Sequence, residues 1–462
     1  MEIFLKDIKK EIPSIEILNY DENISFSKFS HDTRELEKNS LYIPIVGDNS
    51  DGHRYIKEAI QKGSSVSLCD KSKMNSIEGV SSPIILTENV LETLGEIINL
   101  YVEDIKKSAK ILAITGSTGK TTTREMLSAV LSEKGRVLHS DKNFNTLWGN
   151  AELLDDYNDE RDIVLEFGMD KEGEIKAQCD AISPDAGILL NVGLVHAEAL
   201  GSIENIFKEK KSLADCLDEN NGFLVLNIDD ERLKIVKETF HGTLMTFGMN
   251  DEADVKIKDT KISLDGTDLI ISFKGEEHNL HLKVLGKDYA YNACAAFCAG
   301  VEMGLSVSEI IHGLEKYEGF GGRFQVLEVD GNVSIVNDAY NANPTSMKMS
   351  IETFDDLYWK QDIEKILILG DMRELGQYAE EEHRKIGKLV KDLGFDDSHV
   401  YYLGEYFEYF NYGNRLNSFE DAVHLIDRFV HEKRKSIFLI KGSHGTELYK
   451  IAELITPSDI SA

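Results

Sequence analysis

Seven short, mostly apolar runs punctuate the chain: Ile111–Ile114, Ile163–Phe167, Ile188–Val192, Phe223–Leu226, Ser334–Val336, Ile366–Leu369 and Ile437–Ile440. Between them, apolar residues recur at helical spacing, as in Met126, Leu127, Val130 and Leu131, with Gly135 as the expected stop. Such alternation predicts βαβ units and mostly parallel sheets, and therefore an α/β fold. Local composition divides the pattern into three blocks. The first, 1–108, closes at Lys106-Lys107-Ser108, just ahead of the run at 111. The second, 109–318, ends where Gly319-Phe320-Gly321-Gly322 predicts a hinge, and the third, 319–462, resumes the alternation. A length of 462 residues agrees with three domains at roughly 150 residues each.

Composition narrows the class. A content of 42% hydrophobic and 29% charged residues is that of a soluble globular chain. With 51 Lys and Arg against 82 Asp and Glu, the net charge of −31 speaks against a nucleic-acid-binding surface. No apolar run approaches the ~20 residues that span a bilayer, and the N-terminus lacks a signal-peptide apolar region. The expectation is a cytoplasmic protein that uses no membrane. Five cysteines without a C-x-x-C pair read as reduced structural thiols, with Cys294 and Cys298 on one buried helix face.

The sharpest chemical signal is Thr115-Gly116-Ser117-Thr118-Gly119-Lys120-Thr121-Thr122-Thr123, directly after the run at 111–114. Strand, glycine-rich turn, lysine and hydroxyl-rich helix start together form a polyphosphate cradle. Gly116 and Gly119 allow the tight turn, Lys120 supplies charge near the β- and γ-phosphates, and Thr121 offers a hydroxyl to Mg²⁺. The bland alternative is an ordinary turn. The acidic chain must therefore place its few cations locally.

Other candidates sit at the ends of runs, where open α/β sheets bind ligands. Glu166 follows Ile163-Val164-Leu165 and is placed to hold Mg²⁺. His196 follows Asn191 and Gly193 at a strand exit and reads as a second metal ligand. Lys208, Lys210 and Lys211 lie on a helix and by composition alone suggest a solvated face. Asp338, Tyr340 and Asn341 crowd one strand exit ahead of Asn343-Pro344, which reads as a helix cap followed by Pro. Arg323, beside the glycine-rich hinge, can close over a phosphate. The loops Gly370–Gly376 and Lys441–Gly445 suggest a binding crevice in the third block.

Taken in order, these elements resemble the Mur ligases, the ATP-dependent amide-bond formers of cell-wall precursor synthesis. The resemblance covers nearly the whole chain. It begins at Asp32-Thr33-Arg34 and Asp51-Gly52-His53, and runs through 115–123, Glu166–Met169, Asn191–His196 and Asn227…Asp229-Asp230. It ends with Arg323, Asp338–Pro344, Gly370–Gly376 and Lys441-Gly442-Ser443. It implies a small α/β UDP-binding domain, a central P-loop ATPase domain and a C-terminal Rossmann-like domain. It also implies a monomeric, ADP-forming ligase with ATP and Mg²⁺ as cofactors. Its substrates would be a UDP-linked peptide precursor and an amino acid or dipeptide, with D-alanyl-D-alanine the best match.

By position, Gly116, Ser117, Thr118, Gly119, Lys120, Thr121, Thr122, Asn292, Arg323 and Asp338 would bind the nucleotide. Asn292 would meet adenine, Asp338 the ribose, and Lys120 with Arg323 the γ-phosphate. Thr121 and Glu166 would hold one Mg²⁺, and His196 with a carbamylated Lys210 would serve the other. Thr33, Arg34, Asp51, Gly52, His53, Asn143, Asn145, Tyr340, Asn341 and Asn343 would bind substrate. The chain departs from the family pattern at Asn143–Asn150, at Ser212 (a common Glu), at Asp288 (a usual His) and at His444 (a common Arg). These departures fall mainly where acceptor and donor would sit. They motivate a different UDP-linked acceptor, such as a pseudomurein precursor, as the alternative. A P-loop phosphotransferase or a non-catalytic nucleotide-binding regulator would be more distant alternatives.

Overall fold

The computed structural model describes residues 2–47, 50–140, 144–263, 265–319, 321–357 and 363–455. They form two compact units: 1–115 with 135–187 and 212–223, and 116–134 with 188–211 and 224–462. Both are mixed α/β with mostly parallel sheets, as the apolar pattern predicts.

The first unit contains a five-stranded sheet in the order Glu16–Leu18, Ile84–Thr87, Val66–Asp70, Ser40–Tyr42, Lys28–Ser30. Its first pair is antiparallel and the rest are parallel. Tyr42, Ile56, Ala59, Cys69, Ile84 and Leu86 pack one face of it. The helix Val90–Ile105 follows because Asn89 caps it, accepting from the Leu91 and Glu92 amides, and because Leu94, Ile97, Ile98, Tyr101 and Ile105 form one buried stripe. Strand Lys110–Thr115 pairs in parallel with Asp162–Glu166, so that Ile114 stands opposite Glu166.

The edge strand Lys28–Ser30 leaves amides without a ladder partner. Asp155 accepts from the Phe29 N–H at 2.5 Å, and Glu152 accepts from the His31 N–H at 2.9 Å. Burial pushes the Asp155 carboxyl up to about 8.

The second unit contains a six-stranded sheet in the order Gln325–Asp330, Val333–Asn337, Ser436–Lys441, Glu364–Gly370, Val400–Leu403, Asn414–Leu416. Only the first pair is antiparallel. Ile335, Ile366, Ile368, Ile426, Phe429, Phe438 and Ile440 fill one side of it. Thr243–Gly248 pairs in parallel with Val255–Ser263, which continues antiparallel into Gly266–Phe273 and Glu276–Leu282. The helix Lys287–Glu302 buries Cys294 and Cys298, both free thiols.

Two expectations are corrected. The helix after the phosphate loop spans Lys120–Leu131 and ends before Gly135. The strand expected over 188–192 spans Ala186–Leu189, because Asn191 turns out of the ladder: its carbonyl accepts from the Ser117 N–H at 3.1 Å.

Candidate active site

Residues 116–119 form a loop that only glycine can make at two points. Gly119 has φ +83°, and a Cβ there would lie 2.5 Å from Asn292 Oδ1. A Cβ on Gly116 would come within 2.9 Å of Leu190 Cβ. These close approaches keep the backbone bare where a phosphate needs it. Asn191 pins the loop: its Oδ1 accepts from the Thr118 N–H at 2.9 Å, and its Nδ2 donates to the Thr118 carbonyl at 3.2 Å. Gly193 N–H donates to Ser117 Oγ at 2.7 Å, and that hydroxyl donates to the Gly193 carbonyl at 3.0 Å. The helix starts immediately at Lys120, so its first-turn amides and dipole face the same space. Lys120 Nζ donates to the Gly116 carbonyl at 2.8 Å, which folds the ammonium over the loop.

Arg323 reaches this site from the third block. Its Nη2 donates to Thr121 Oγ1 at 3.1 Å, and its guanidinium lies 4.6 Å from the Tyr340 ring centroid. Tyr289 donates to the Arg323 carbonyl at 2.9 Å, fixing the backbone that carries it. Thr122 is buried in the first turn, and Thr123 Oγ1 donates to Asn292 Oδ1 at 3.2 Å. Asp338 accepts from the buried Lys441 Nζ at 2.7 Å and from the Phe324 N–H at 3.2 Å. Asp288 stands nearby. Burial pushes its carboxyl up to about 7, with repulsion from Asp338 adding and Lys441 opposing.

Among the three helix lysines, Lys208 is exposed, Lys211 half-buried and Lys210 buried. Burial, then repulsion from Lys120, pushes the Lys210 ammonium well below its ordinary value. The solvated-face expectation is corrected for that residue. His196 caps the short helix Ala197–Leu200 in a left-handed conformation, and its Nδ1 lies 2.7 Å from Glu374 Oε2.

In the first unit, Glu166 is 1% exposed at the end of its strand. Asn150 Nδ2 donates to its carbonyl at 3.0 Å, and the Asn145 carbonyl accepts from the Gly168 N–H at 2.7 Å. Among the described residues, no group of three or more His, Cys, Asp and Glu is arranged to hold a metal. Taken separately, the hydroxyl of Thr121 and the buried carboxylate of Glu166 are each donor types that suit Mg²⁺. Mg²⁺ takes few protein oxygens and keeps waters or phosphates as its other ligands.

Several expected substrate contacts are used internally. His53 is buried with both ring nitrogens engaged: Nδ1 with Asp51 at 2.7 Å, and Nε2 accepting from the Asp70 N–H at 3.1 Å. Asp51 also accepts from Lys73 at 2.9 Å. A Cβ on Gly52 would meet the Ile45 backbone at 2.7 Å. Asn343 caps its helix by accepting from the Ser346 N–H at 2.9 Å, and Asn341 accepts from the Ala342 N–H at 2.8 Å. Thr33 donates to Glu58 at 3.0 Å, and Arg34 is exposed beside Asp32. Asn143 lies outside the described residues. Tyr289 carries no signal in the sequence, and Glu374 and Lys441 are marked there only as members of the loops 370–376 and 441–445.

The Mur ligase family catalytic domain matches residues 26–102, the Mur ligase middle domain 114–300, and the Mur ligase glutamate ligase domain 322–444. The chain is 32% identical over 441 residues to UDP-N-acetylmuramoyl-tripeptide–D-alanyl-D-alanine ligase of Bacillus subtilis, covering 93% of each chain. It resembles a solved MurF ligase from Thermotoga maritima in complex with ADP: 26% identity, TM-score 0.80, covering 93% of this chain and 96% of that one. A MurF structure from Acinetobacter baumannii shares the fold at TM-score 0.87 with 22% identity, covering 98% and 99%. The three-domain architecture expected from the sequence is therefore the fold of this protein. A pseudomurein assignment gains nothing from these relatives, which are bacterial. Matched over most of its length, the chain belongs to the Mur ligase family.

Proposed function

We propose that this enzyme is an ATP-dependent, ADP-forming ligase that joins D-alanyl-D-alanine to the terminal carboxylate of a UDP-N-acetylmuramoyl-tripeptide. The observation that carries the reaction class is Arg323 donating to Thr121 beside Lys120 and the helix start. The acceptor carboxylate and the γ-phosphate are both anions, so their approach requires fixed cations. Lys120 and Arg323 supply two, and bound Mg²⁺ would neutralise further charge through Thr121, Glu166 and His196.

A carboxylate oxygen attacks the γ-phosphorus, ADP leaves, and an acyl phosphate forms. The donor amine then attacks the acyl carbon. The tetrahedral intermediate expels phosphate, which carries away one carboxylate oxygen, and the amine's surplus protons pass to solvent. The low proton affinity of Lys210 supports its carbamylation: a neutral amine adds CO₂ and releases a proton, replacing a repulsive cation by an anion. Asn292 and Asp338 are the residues we assign to adenine and ribose, and Thr33, Arg34 and Asn145 to the acceptor. We place the domain boundaries at 108 and 318, and the reaction in the cytoplasm with a monomeric enzyme.

Purified protein offered Mg-ATP, the UDP-linked tripeptide and D-alanyl-D-alanine should yield ADP, free phosphate and the UDP-linked pentapeptide by mass. A stable phosphorylated product, or turnover only with another acceptor, would contradict this assignment. Lys210→Ala should lose activity and regain part of it with small carboxylates. Wild-type behaviour without additives would remove Lys210 from the site.

A further inference from the structure

The His196–Glu374 contact joins two of the three blocks read from the sequence. His196 follows a strand of the second block, while Glu374 lies on the loop after the strand Glu364–Gly370 of the third. Both adopt positive φ, +51° and +63°, a region that non-glycine residues occupy only when their surroundings hold them there. Those surroundings are a run of contacts along 196–201. The Glu198 N–H donates to the Glu374 carbonyl at 3.1 Å, and Tyr378 OH donates to the Gly201 carbonyl at 3.3 Å. A Cβ on Gly376 would come within 3.0 Å of Glu198 Cα, so the segment 374–378 lies against that turn without spare room.

The imidazole has two distinct nitrogens. When Nδ1–H donates to a carboxylate, Nε2 is left carrying the lone pair that a cation requires. Glu374 Oε2 stands 2.7 Å from Nδ1. We propose that Glu374 is the positioning residue for His196: it fixes the Nε2-ligating tautomer and ring orientation, so that metal binding beside the nucleotide is linked to seating of the third block on residues 196–201. This rests on the assignment of His196 as a metal ligand.

The test uses the full chain with ADP and Mn²⁺ as a spectroscopically visible substitute for Mg²⁺. Manganese binding is followed by electron paramagnetic resonance, and ADP binding by calorimetry with and without metal. Glu374→Ala should weaken Mn²⁺ binding at saturating ADP by about 10–100-fold, the range for loss of an outer partner of a ligating histidine. ADP affinity without metal should stay within about twofold (~0.4 kcal/mol), because Glu374 bonds to His196 and to the Glu198 amide. Glu374→Gln, which keeps an acceptor oxygen without the charge, should fall between. Nitrogen-15 spectra should show His196 protonated on Nδ1 in the wild type and a tautomer mixture in Glu374→Ala.

Unchanged Mn²⁺ affinity in Glu374→Ala would overturn the inference, as would equal losses with and without metal, which would indicate a merely structural contact. His196→Ala separates the two assignments. If it binds Mn²⁺ normally, the metal assignment of His196 falls and this inference with it. If it binds weakly while Glu374→Ala does not, only the positioning role falls.

Discussion

Two motifs of this chain, 116–123 and 51–53, each set a glycine among polar residues and differ in what they do with their polar groups. In both, a glycine has no room for a side chain: a Cβ on Gly119 would lie 2.5 Å from Asn292 Oδ1, and one on Gly52 would lie 2.7 Å from the Ile45 backbone. At 116–123, side chains from Asn191 and Ser117 hold the loop from behind, while the helix start and Lys120 present charge to the nucleotide space. At 51–53, Asp51 and His53 bond to each other, to Lys73 and to the Asp70 amide. In the proposed reading the first motif faces a ligand, whereas the polar groups of the second bond within their own unit. A motif states a geometric demand, and either a ligand or the chain itself can answer it.

That contrast can be broken by substitution. Lys120→Ala should lower kcat by about 10²–10³, the scale for removing one preorganised cation from a transition state. Thermal unfolding should stay unchanged, because the ammonium makes no core packing. Near-normal turnover would remove Lys120 from phosphate handling. His53→Ala should do the reverse. Leaving the Asp51 carboxylate and the Asp70 amide without their partner should cost about 1–3 kcal/mol of stability. At saturating acceptor, kcat should stay within about twofold of wild type (~0.4 kcal/mol). A large loss of kcat with unchanged melting would place His53 on the substrate instead.

A pH-dependent effect belongs to Asp155, whose carboxyl burial pushes up to about 8 from an ordinary 3.8. Between these values the folded state holds a proton that the unfolded state releases. Stability from this group is therefore full below about pH 4 and declines as pH rises toward 8, by at most about 1.4 kcal/mol per pH unit. Melting curves from pH 5 to 8 should flatten in Asp155→Asn, and an unchanged slope would refute the assignment. The smallest expected change is that of Arg34→Ala. The side chain is 85% exposed, so melting should not move while KM for the UDP-linked acceptor rises. An unchanged KM would remove Arg34 from the acceptor site.

Much of this arrangement is legible in the sequence because the apolar runs are buried on both faces and bounded by glycine or polar exits. The strand at 437–440 is found as Ser436–Lys441 and that at 366–369 as Glu364–Gly370, each a little longer than its apolar run. The antiparallel strands within 255–282 escaped notice because their exposed faces carry Lys, Asp and Glu, which dilute the apolar signal. Composition alone does not separate Lys210 from its neighbours; the family register points to it, and burial sets it apart in the structure. Glu374 was hidden for another reason: its partner His196 is distant along the chain, and no local periodicity connects them.

The central claim is that the acceptor carboxylate takes phosphate from ATP before nitrogen displaces it. Acceptor labelled with oxygen-18 in its terminal carboxyl group, turned over with D-alanyl-D-alanine and Mg-ATP, tests that claim directly. Mass analysis of the released phosphate should find one labelled oxygen per phosphate; unlabelled phosphate alongside normal amide formation would contradict the account.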